Sequence, residues 1–279
     1  MRSFEAKDAT KPTHSVDFAL DHLTAIETTP LELAETASQA GYNRICAFVR
    51  SIDGLGGPSF NLAEDRSRLA ATRTALGTLD ITVDVAYPFT ISDRSLPGDF
   101  EADLASAAEL GARMVNLLVF ARDPRRIRDD TASFCERARA YSLGVALEMV
   151  PASTVRTLTE AASLVGDLGE DADIGINLDV LHLYRSGDRP MSVVPFIDKV
   201  RYLQLCDGPL EIAAESRRAE ASMQRLLPGH GAFDLHELIG LLNGVPASLE
   251  IPDAAAKAAG LGPIDRARAA RTAARAIPA

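Results

Sequence analysis

Cysteine, long apolar runs and positive charge are all scarce in this sequence. Its three cysteines are an odd number without C-x-x-C spacing, so a disulfide framework and a structural zinc site are both disfavoured. The 29 lysines and arginines are outnumbered by 39 aspartates and glutamates, and the formal net charge of −10 argues against nucleic acid as a partner. No run approaches the roughly 18 apolar residues that a membrane span requires.

The N-terminal stretch MRSFEAKDATKPTHS is polar and lacks the apolar core of a signal peptide. We therefore expect a soluble, cytoplasmic protein without a membrane partner, in which residues 1–14 are an extension ahead of the first strand. Apolar residues make up 47% of the 279 positions, which is enough for the core of one large α/β domain.

Eight short apolar or β-branched segments recur at intervals of roughly 30 residues, the length of a strand plus a crossover helix. They are VDFAL (16–20), RICAFV (44–49), ITVDVAY (81–87), MVNLLVF (114–120), VALEMV (145–150), IGINLDV (174–180), VRYLQL (200–205) and ASLEI (247–251). The segments between them carry apolar residues at helical spacing, and predict among others a helix over STVRTLTEAASLVGDLG (153–169) and a short helix around MSVVPFIDKV after the sixth strand. Two of these segments end at a glycine suited to a helix C-terminus, Gly41 and Gly77.

This alternation predicts a (β/α)8 TIM barrel that forms a single domain over residues 1–279. Near-continuous apolar strands are typical of a parallel sheet that is covered on both faces. A doubly wound open sheet is the alternative, but no helix opens with a G-x-G-x-x-G or P-loop motif. The longest irregular stretch, residues 207–231, follows the seventh strand, and loops of this length are usually functional or mobile lids.

Oxygen-bearing side chains interrupt four successive apolar strands near their carboxyl ends. They are Glu148 in VALEMVP, Asp179 in INLDV, Gln204 in YLQLCD and Glu250 in SLEIP. In a barrel these ends converge on the active-site face, where neighbouring carboxylates need a cation to compensate them. Each residue alone could be a salt-bridge partner, but four on consecutive strands predict a metal site. An all-oxygen set favours Mn2+, with Mg2+ or Co2+ as alternatives.

A divalent ion at this site suggests chemistry next to a carbonyl group. An ion that chelates a carbonyl and the adjacent hydroxyl stabilises the enediolate formed on deprotonation. Glu148 and Glu250 are the candidate catalytic residues that remove and return the proton. Return to the same carbon gives epimerisation, return to the neighbouring carbon gives isomerisation, and a leaving group at the β position makes the enzyme a dehydratase or lyase.

Five further residues are candidates for substrate binding. They are His182, three residues after Asp179, His22 after the first strand, Arg50 at the end of the second, and Arg225 and His230 in the long loop. An arginine fork can hold a carboxylate or phosphate, although each arginine could equally be a solvated surface residue. Asp84 and Asn116 rank below the four metal-ligand candidates, and Cys206 is expected to be a buried structural cysteine.

Five segments, ALEMVP, NLDVLHLYRSG, YLQLCDGP, LPGHGAFDL and SLEIP, resemble the strand-five to strand-eight signatures of the xylose-isomerase-like TIM-barrel proteins, the sugar phosphate isomerase/epimerase group. PLELAETASQAGYNRI is similar to the first helix and second strand of that family. The resemblance implies that Glu148, Asp179, Gln204 and Glu250 bind one divalent metal and that His182 holds a substrate oxygen. It also implies a small carbohydrate-like substrate, and barrels of this group often form homo-oligomers.

The sequence departs from the ketose 3-epimerases of that family at several positions. Those proteins usually carry histidine where this chain has Gln204, which is more similar to the hydroxypyruvate isomerase branch. They also carry a glutamate at the position of Thr154 and an arginine at that of Leu210. Many relatives read G-E-G where His230 gives GHG here. The predicted metal cup is therefore better supported than the predicted substrate contacts.

The predicted function is that of a divalent-metal-dependent isomerase or epimerase acting on a sugar, keto sugar or hydroxy-keto acid. The alternative is a dehydratase or lyase with the same chemistry, for example on a keto-inositol or keto-glycoside. An endonuclease-IV-like DNA repair enzyme is disfavoured by five scattered histidines and the acidic charge. A non-catalytic barrel subunit is disfavoured because both candidate acid–base glutamates are present.

Overall fold

A computed structural model describes residues 17–277 of the chain, and it shows a closed barrel of eight parallel strands. The strands are β1 (Phe18–Asp21), β2 (Arg44–Phe48), β3 (Thr82–Ile91), β4 (Met114–Val119), β5 (Gly144–Glu148), β6 (Ile174–Asp179), β7 (Val200–Leu205) and β8 (Ala247–Leu249). Each strand pairs with its neighbour in sequence, and β8 closes the barrel against β1. The predicted (β/α)8 fold is therefore confirmed. The predicted extension at residues 1–14 lies outside the described residues.

The α-helices that the structure describes follow the strands in the alternation expected of this fold. They are α1 (Pro30–Ala40), α2 (Arg66–Leu79), α3 (Glu101–Glu109), α4 (Pro124–Ala140), α5 (Leu158–Leu168), α6 (Val180–Arg185), α7 (Arg217–Met223), α8 (Leu235–Leu241), α9 (Ala254–Ala258) and α10 (Pro263–Arg275). Within residues 17–277, the search for a helix with the length and apolarity of a membrane span found none.

Helix α1 shows how local sequence sets the ends of an element. The Thr29 hydroxyl accepts from the Glu32 N–H, and the Glu32 carboxylate accepts from the Thr29 N–H, which together form a capping box. Pro30 stands at the first helical position, where its missing N–H costs no helical bond. Gly41 ends the helix with φ at +83°, a left-handed conformation that glycine adopts without steric penalty.

Three helical segments differ from the expectation. Helix α2 passes the expected end at Gly77 and continues to Leu79, where Asp80 caps it in the left-handed conformation with φ at +53°. The helix expected over residues 153–169 begins at Leu158, because Thr157 and Glu160 form a second capping box at that point. The short helix expected after β6 is a 3-10 segment, Pro190–Lys199. It contains Pro195, which has no N–H to donate to a regular α-helical ladder.

An ion pair fills part of the barrel interior near the amino-terminal ends of the strands. Arg44 Nη1 lies 2.6 Å from Asp84 Oδ2, and the Tyr202 hydroxyl donates to the same oxygen at 3.2 Å. Arg44 opens β2 and Asp84 is near the start of β3, so this pair lies far from the strand ends that carry Glu148 and Asp179. Asp84 is therefore a packing residue of the barrel interior and contributes no group to the candidate site.

Candidate metal and acid–base site

The four predicted metal ligands lie at the carboxyl-terminal ends of β5 to β8. Glu148 and Asp179 are the last residues of β5 and β6, Gln204 is the penultimate residue of β7, and Glu250 directly follows β8. Asp179 and Gln204 are paired across the β6–β7 ladder. All four side chains are buried. The barrel thus brings the four strand-end residues to one point, in the manner that the sequence pattern predicted.

The turn from β6 into α6 places a histidine beside two of these carboxylates. Asp179 Oδ1 caps α6 by accepting from the N–H groups of Leu181 at 2.7 Å and His182 at 3.3 Å. This cap holds His182 Nε2 at 3.5 Å from Glu148 Oε1 and 3.9 Å from Asp179 Oδ2. One donor atom from each of the three residues lies within 4.8 Å of the others, which is a spacing that a metal ion can bridge.

Arg225, predicted as a substrate-binding residue, lies inside the cup of carboxylates. Its Nη1 lies 2.7 Å from Asp179 Oδ2, and its Nη2 lies 2.7 Å from Glu250 Oε1. Its backbone N–H donates to the Pro252 carbonyl at 3.1 Å, and its Nε donates to the Ala221 carbonyl at 3.0 Å. The guanidinium is therefore fixed as an internal counter-ion between β6 and the segment after β8.

Three carboxamides form a hydrogen-bonded chain beneath the cup. Asn116 Nδ2 donates to Glu148 Oε2 at 2.5 Å, and Asn177 Nδ2 donates to Asn116 Oδ1 at 2.9 Å and to Gln204 Oε1 at 2.5 Å. Gln204 Nε2 in turn donates to Glu250 Oε2. The chain connects the two glutamates and turns the Gln204 nitrogen towards Glu250. Oxygen ligation of a metal by Gln204 would require its amide to turn over.

Two polar residues from the opposite side of the barrel also reach this cluster. The Tyr87 hydroxyl donates to Asp21 Oδ2 at 2.9 Å and accepts from Gln204 Nε2 at 2.9 Å. Asp21 ends β1 and Tyr87 lies in β3, and both are buried. Neither residue was predicted from the sequence, although Asp21 in FALDH lies at a strand end like the predicted ligands. Asn177 could also have been predicted from the sequence, because it lies two residues before Asp179 in the same strand and its side chain therefore faces the same side of the sheet.

The carboxyl groups outnumber the positive charge that is available to them. Burial, together with the nearby charge of Asp179, raises the pKa of Glu148 to about 8. Burial also raises the pKa of Glu250 well above its ordinary range, and that of Asp21 to about 6. Burial alone would raise the pKa of Asp179 as well, but the charges of Arg225 and His182 and the hydrogen bonds that both residues donate to Asp179 together outweigh burial, and the pKa is lowered.

This electrostatic imbalance fits a divalent cation. Arg225 pairs with both Asp179 and Glu250, but the pKa of Glu250 is raised despite this pair, and that of Glu148 is raised as well, so the charged forms of both glutamates are disfavoured. A divalent ion among Glu148, Asp179 and Glu250 would offset those charges, and His182 could add a nitrogen ligand. The donor set present in the chain is thus chemically suited to a metal.

The other predicted substrate-binding residues lie in different surroundings. His22 is fully buried, where Nδ1 accepts from the Phe48 N–H at 3.0 Å and Nε2 faces the Thr28 carbonyl at 2.9 Å. Burial lowers the pKa of His22 to about 4. Both ring nitrogens are therefore used within the fold, and His22 is a structural residue of the turn after β1.

Arg50 and His230 line cavities separate from the carboxylates. Arg50 Nε lies 2.9 Å from Asp103 Oδ2, and the cavity beside this pair is formed by the segments after β2 and β3. His230 is exposed and lines a cavity that is shared with α8 and α10. The structure thus brings Arg225 and His182 to the site, whereas His22, Arg50 and His230 lie elsewhere.

A closed (β/α)8 barrel with polar side chains gathered at the carboxyl ends of its strands has the layout of barrel enzymes. The chain belongs to the xylose isomerase-like TIM-barrel family, whose model matches residues 34–278. The family expected from the strand-end motifs is therefore confirmed. A search of curated proteins gave no match.

Solved structures of similar fold include three with informative descriptions. An IolI protein with a bound zinc atom is 20% identical, with a TM-score of 0.73, covering 92% of this chain and 96% of that chain. The probable 3-DHS dehydratase AsbF from Bacillus anthracis is 16% identical, with a TM-score of 0.70, covering 91% and 97%. An L-ribulose 3-epimerase is 14% identical, with a TM-score of 0.67, covering 92% of each chain. At these identities the likeness establishes the shared fold.

Proposed function

We propose that this protein is a divalent-metal-dependent isomerase or epimerase that acts on a sugar, keto sugar or hydroxy-keto acid through an enediolate intermediate. The observation that carries the proposal is the convergence of Glu148, Asp179 and Glu250 at one buried point with a single arginine to compensate them. Such an excess of buried carboxylates is costly in a fold unless a bound cation uses it.

The metal would be held by Glu148, Asp179 and Glu250, with Gln204 as the fourth ligand once its amide has turned over. The oxygen-rich set favours Mn2+, and the zinc atom in the IolI structure supports a divalent ion at this kind of site. Bound there, the ion would polarise the substrate carbonyl and offset the negative charge that develops when the neighbouring carbon loses its proton.

Glu148 and Glu250 are the residues to which we assign proton transfer. They lie at the two ends of the carboxamide chain, so each is oriented by a different amide donor. In the metal-free site, burial and the charge of Asp179 raise the pKa of Glu148 to about 8, and a bound cation would lower it, so that the ionised form could accept the proton. His182 lies beside Glu148 and would hold a substrate oxygen, and the charge of Arg225 would keep Asp179 ionised throughout.

A dehydratase or lyase is the second candidate function. A dehydratase or lyase removes the same proton from the carbon next to the carbonyl. A double bond then forms to the following carbon, and the leaving group on that carbon departs with the electron pair of its own bond. The description of AsbF as a probable dehydratase supports this alternative among proteins of similar fold. A DNA repair function is less well supported, because the net charge is −10 and the described acidic cluster contains a single histidine. The cytoplasmic location and self-association expected from the sequence stay predictions.

Solvent-proton exchange tests the proposal directly. The Mn2+-loaded protein in D2O should introduce deuterium next to the carbonyl of at least one member of a panel of ketoses, hydroxy-keto acids and keto-glycosides, as detected by NMR. Glu250→Gln keeps the size of the side chain and removes its acid–base function, so exchange should fall by about 10²-fold or more. The matched control is Glu109→Gln, a change on the barrel's outer surface. Absence of exchange in every substrate, with metal bound, would overturn the proposal.

A further inference from the structure

A cavity of about 910 Å3 opens beside the carboxylate cup, with His182 on its wall. His182 Nε2 is also 3.5 Å from Glu148, so the cavity and the proposed reaction site share this residue. Pockets for drug-sized ligands span roughly 300–1,000 Å3, which puts this cavity near the upper end of that range. A free monosaccharide is much smaller than a drug-sized ligand and would leave most of the space unfilled.

The walls of the cavity are largely apolar. The side chains that set this character are Leu55, Val150, Pro151, Ala152, Leu181 and Met223. They come from four segments, which follow β2, β5, β6 and β7, and polar side chains that include Arg185, Arg217 and Arg218 line the rest of the cavity. Because most of the lining is apolar, the cavity can bury an apolar group of a ligand, while its polar side chains can fix the orientation of that ligand.

Helix α7 forms one wall of the cavity and is anchored to the helix that carries His182. Glu220 in α7 is buried against Arg185 at the end of α6, with Nε to Oε2 at 2.7 Å and Nη2 to Oε1 at 2.5 Å. Arg185 also donates to the carbonyls of Pro209 at 2.7 Å and Leu210 at 3.1 Å. Met223, the last residue of α7, lines the cavity and is 47% exposed. The ion pair thus fixes the position at which α7 presents Met223 to the cavity.

We propose that the substrate carries an apolar group, at least the size of an aromatic ring, joined to its polyhydroxy carbonyl unit. The carbonyl unit would lie at His182 and the carboxylates, and the apolar group would occupy the cavity between α7 and the segment after β5. This inference rests on the proposed function, because it assigns one end of the substrate to the acid–base site. It names a substrate class of aryl or similarly substituted keto-glycosides rather than free sugars.

Two pairs of probes test the inference, and the second pair does so independently of turnover. In the first pair, 3-keto-glucose and its phenyl glycoside are compared for solvent deuterium exchange with the Mn2+-loaded protein. Burial of the ring should lower KM for the phenyl compound by about ten-fold or more. In the second pair, glucose and phenyl glucoside are compared by calorimetry, which needs no reactive carbonyl, and the phenyl compound should again bind about ten-fold more tightly.

Matched variants locate the effect. Met223→Glu puts a charge on the cavity wall at an exposed position, and it should remove most of the gain that the phenyl group provides. Met191→Glu is the control, because Met191 is 59% exposed and is not among the residues that line this cavity. Met191→Glu should keep the wild-type ratio between the affinities for the phenyl compound and for the parent sugar.

The outcomes separate the two proposals. Equal affinity for the members of both probe pairs would overturn the inference even if exchange is observed. Tighter binding of phenyl glucoside without any exchange would support the cavity assignment and count against the proposed function. If the phenyl group increased affinity in Met223→Glu as much as in the wild type, the assignment of the apolar group to this cavity would be overturned.

Discussion

Four buried carboxyl groups, those of Asp21, Glu148, Asp179 and Glu250, lie around one buried arginine at the carboxyl-terminal end of the barrel strands. Arg225 contacts Asp179 and Glu250 directly, while Glu148 is bound to an amide and lies beside a histidine. Each carboxyl group has a hydrogen-bond partner, but the negative charges of the four groups exceed the one positive charge of the arginine. A site of this kind can accept a cation, because the cation neutralises the buried negative charge that Arg225 leaves uncompensated.

The first prediction concerns Arg225. In the metal-free protein, Arg225→Met should lower the free energy of unfolding by about 3–5 kcal/mol, because Asp179 and Glu250 lose their buried partner. Addition of Mn2+ should restore more stability to the variant than it adds to the wild type. Thermal unfolding with and without Mn2+ measures both effects.

The control for this change is Arg201→Met. Arg201 forms a part-exposed pair with Asp173 at 2.7 Å, and its loss should cost only about 0–1 kcal/mol. If Mn2+ stabilised Arg225→Met no more than the wild type and the Arg201 control, Arg225 and the metal would not share the same carboxylates.

The second prediction concerns the pH dependence that His22 produces. Its ordinary pKa of 6.5 applies to the unfolded chain, whereas burial lowers its folded-state pKa to about 4. Above pH 6.5 the ring is neutral in both states and adds no pH dependence. As the pH is lowered from 6.5 to about 4, His22 takes up a proton only in the unfolded chain. The free energy of unfolding therefore decreases by about 3 kcal/mol over this interval.

Urea unfolding across pH 4–8 measures this slope. The carboxylates also titrate, so the wild type is compared with His22→Gln, in which the His22 part of the slope should vanish. The exposed His230→Gln is the control and should keep the wild-type slope. An identical pH slope in wild type and His22→Gln would contradict the buried neutral state of this ring.

The residues of the site differ in how far the sequence could reveal them. Glu148, Asp179, Gln204 and Glu250 were predicted to meet because a polar residue at the end of an apolar strand is costly to bury unless it binds a partner there. Arg225 was predicted to bind substrate, and its partners could not be deduced because it lies in an irregular loop, where sequence spacing does not fix direction. His22 was misplaced for a related reason, since its direction depends on how the turn after β1 packs against Phe48.

At the level of elements, the segment between β7 and α8 shows the limits of pattern reasoning most clearly. The sequence predicted one long irregular loop, and the structure has the seven-residue helix α7 inside it. A helix this short carries too few apolar positions to produce a periodic signal. Its position is set by tertiary contacts, above all the buried pair of Arg185 and Glu220.

The third prediction addresses this anchor. Glu220→Gln should release α7 from α6, because Arg185 loses a buried charge partner, at a cost of about 3–5 kcal/mol to the local structure. Hydrogen exchange and limited proteolysis should both increase within residues 209–224, while the strands keep their protection. Glu215→Gln, at an exposed position in the same segment, is the control. Protection unchanged in residues 209–224 of Glu220→Gln would contradict the anchoring role.

Strand positions were more predictable than helix boundaries. All eight predicted strands match an observed strand, because buried parallel strands leave a continuous apolar run in the sequence. Helix α5 began later than expected, since its start is set by the capping pair Thr157 and Glu160 rather than by its apolar residues. Capping residues therefore predict where a helix begins and ends, whereas apolar periodicity predicts that a helix is present.

At the scale of the whole molecule, the barrel explains why residues far apart in sequence act together. Glu148 and Glu250 are 102 positions apart, yet closure of the strands brings both to the same end of the barrel, where three carboxamides connect them. The periodicity of the sequence was sufficient to predict this closure. The substrate could not be predicted in the same way, because the cavity is built by loops after four different strands.

Metal stoichiometry is the most direct test of the central claim, that the convergent carboxylates form a divalent-metal centre. Wild-type protein equilibrated with Mn2+ should retain a single ion per chain after gel filtration, as measured by elemental analysis. Asp179→Asn and Glu148→Gln should each lose it, while Asp84→Asn, a buried carboxylate paired with Arg44 at the other end of the barrel, should retain it. Retention of the ion by folded Asp179→Asn and Glu148→Gln alike, or no ion in the wild type, would contradict the claim.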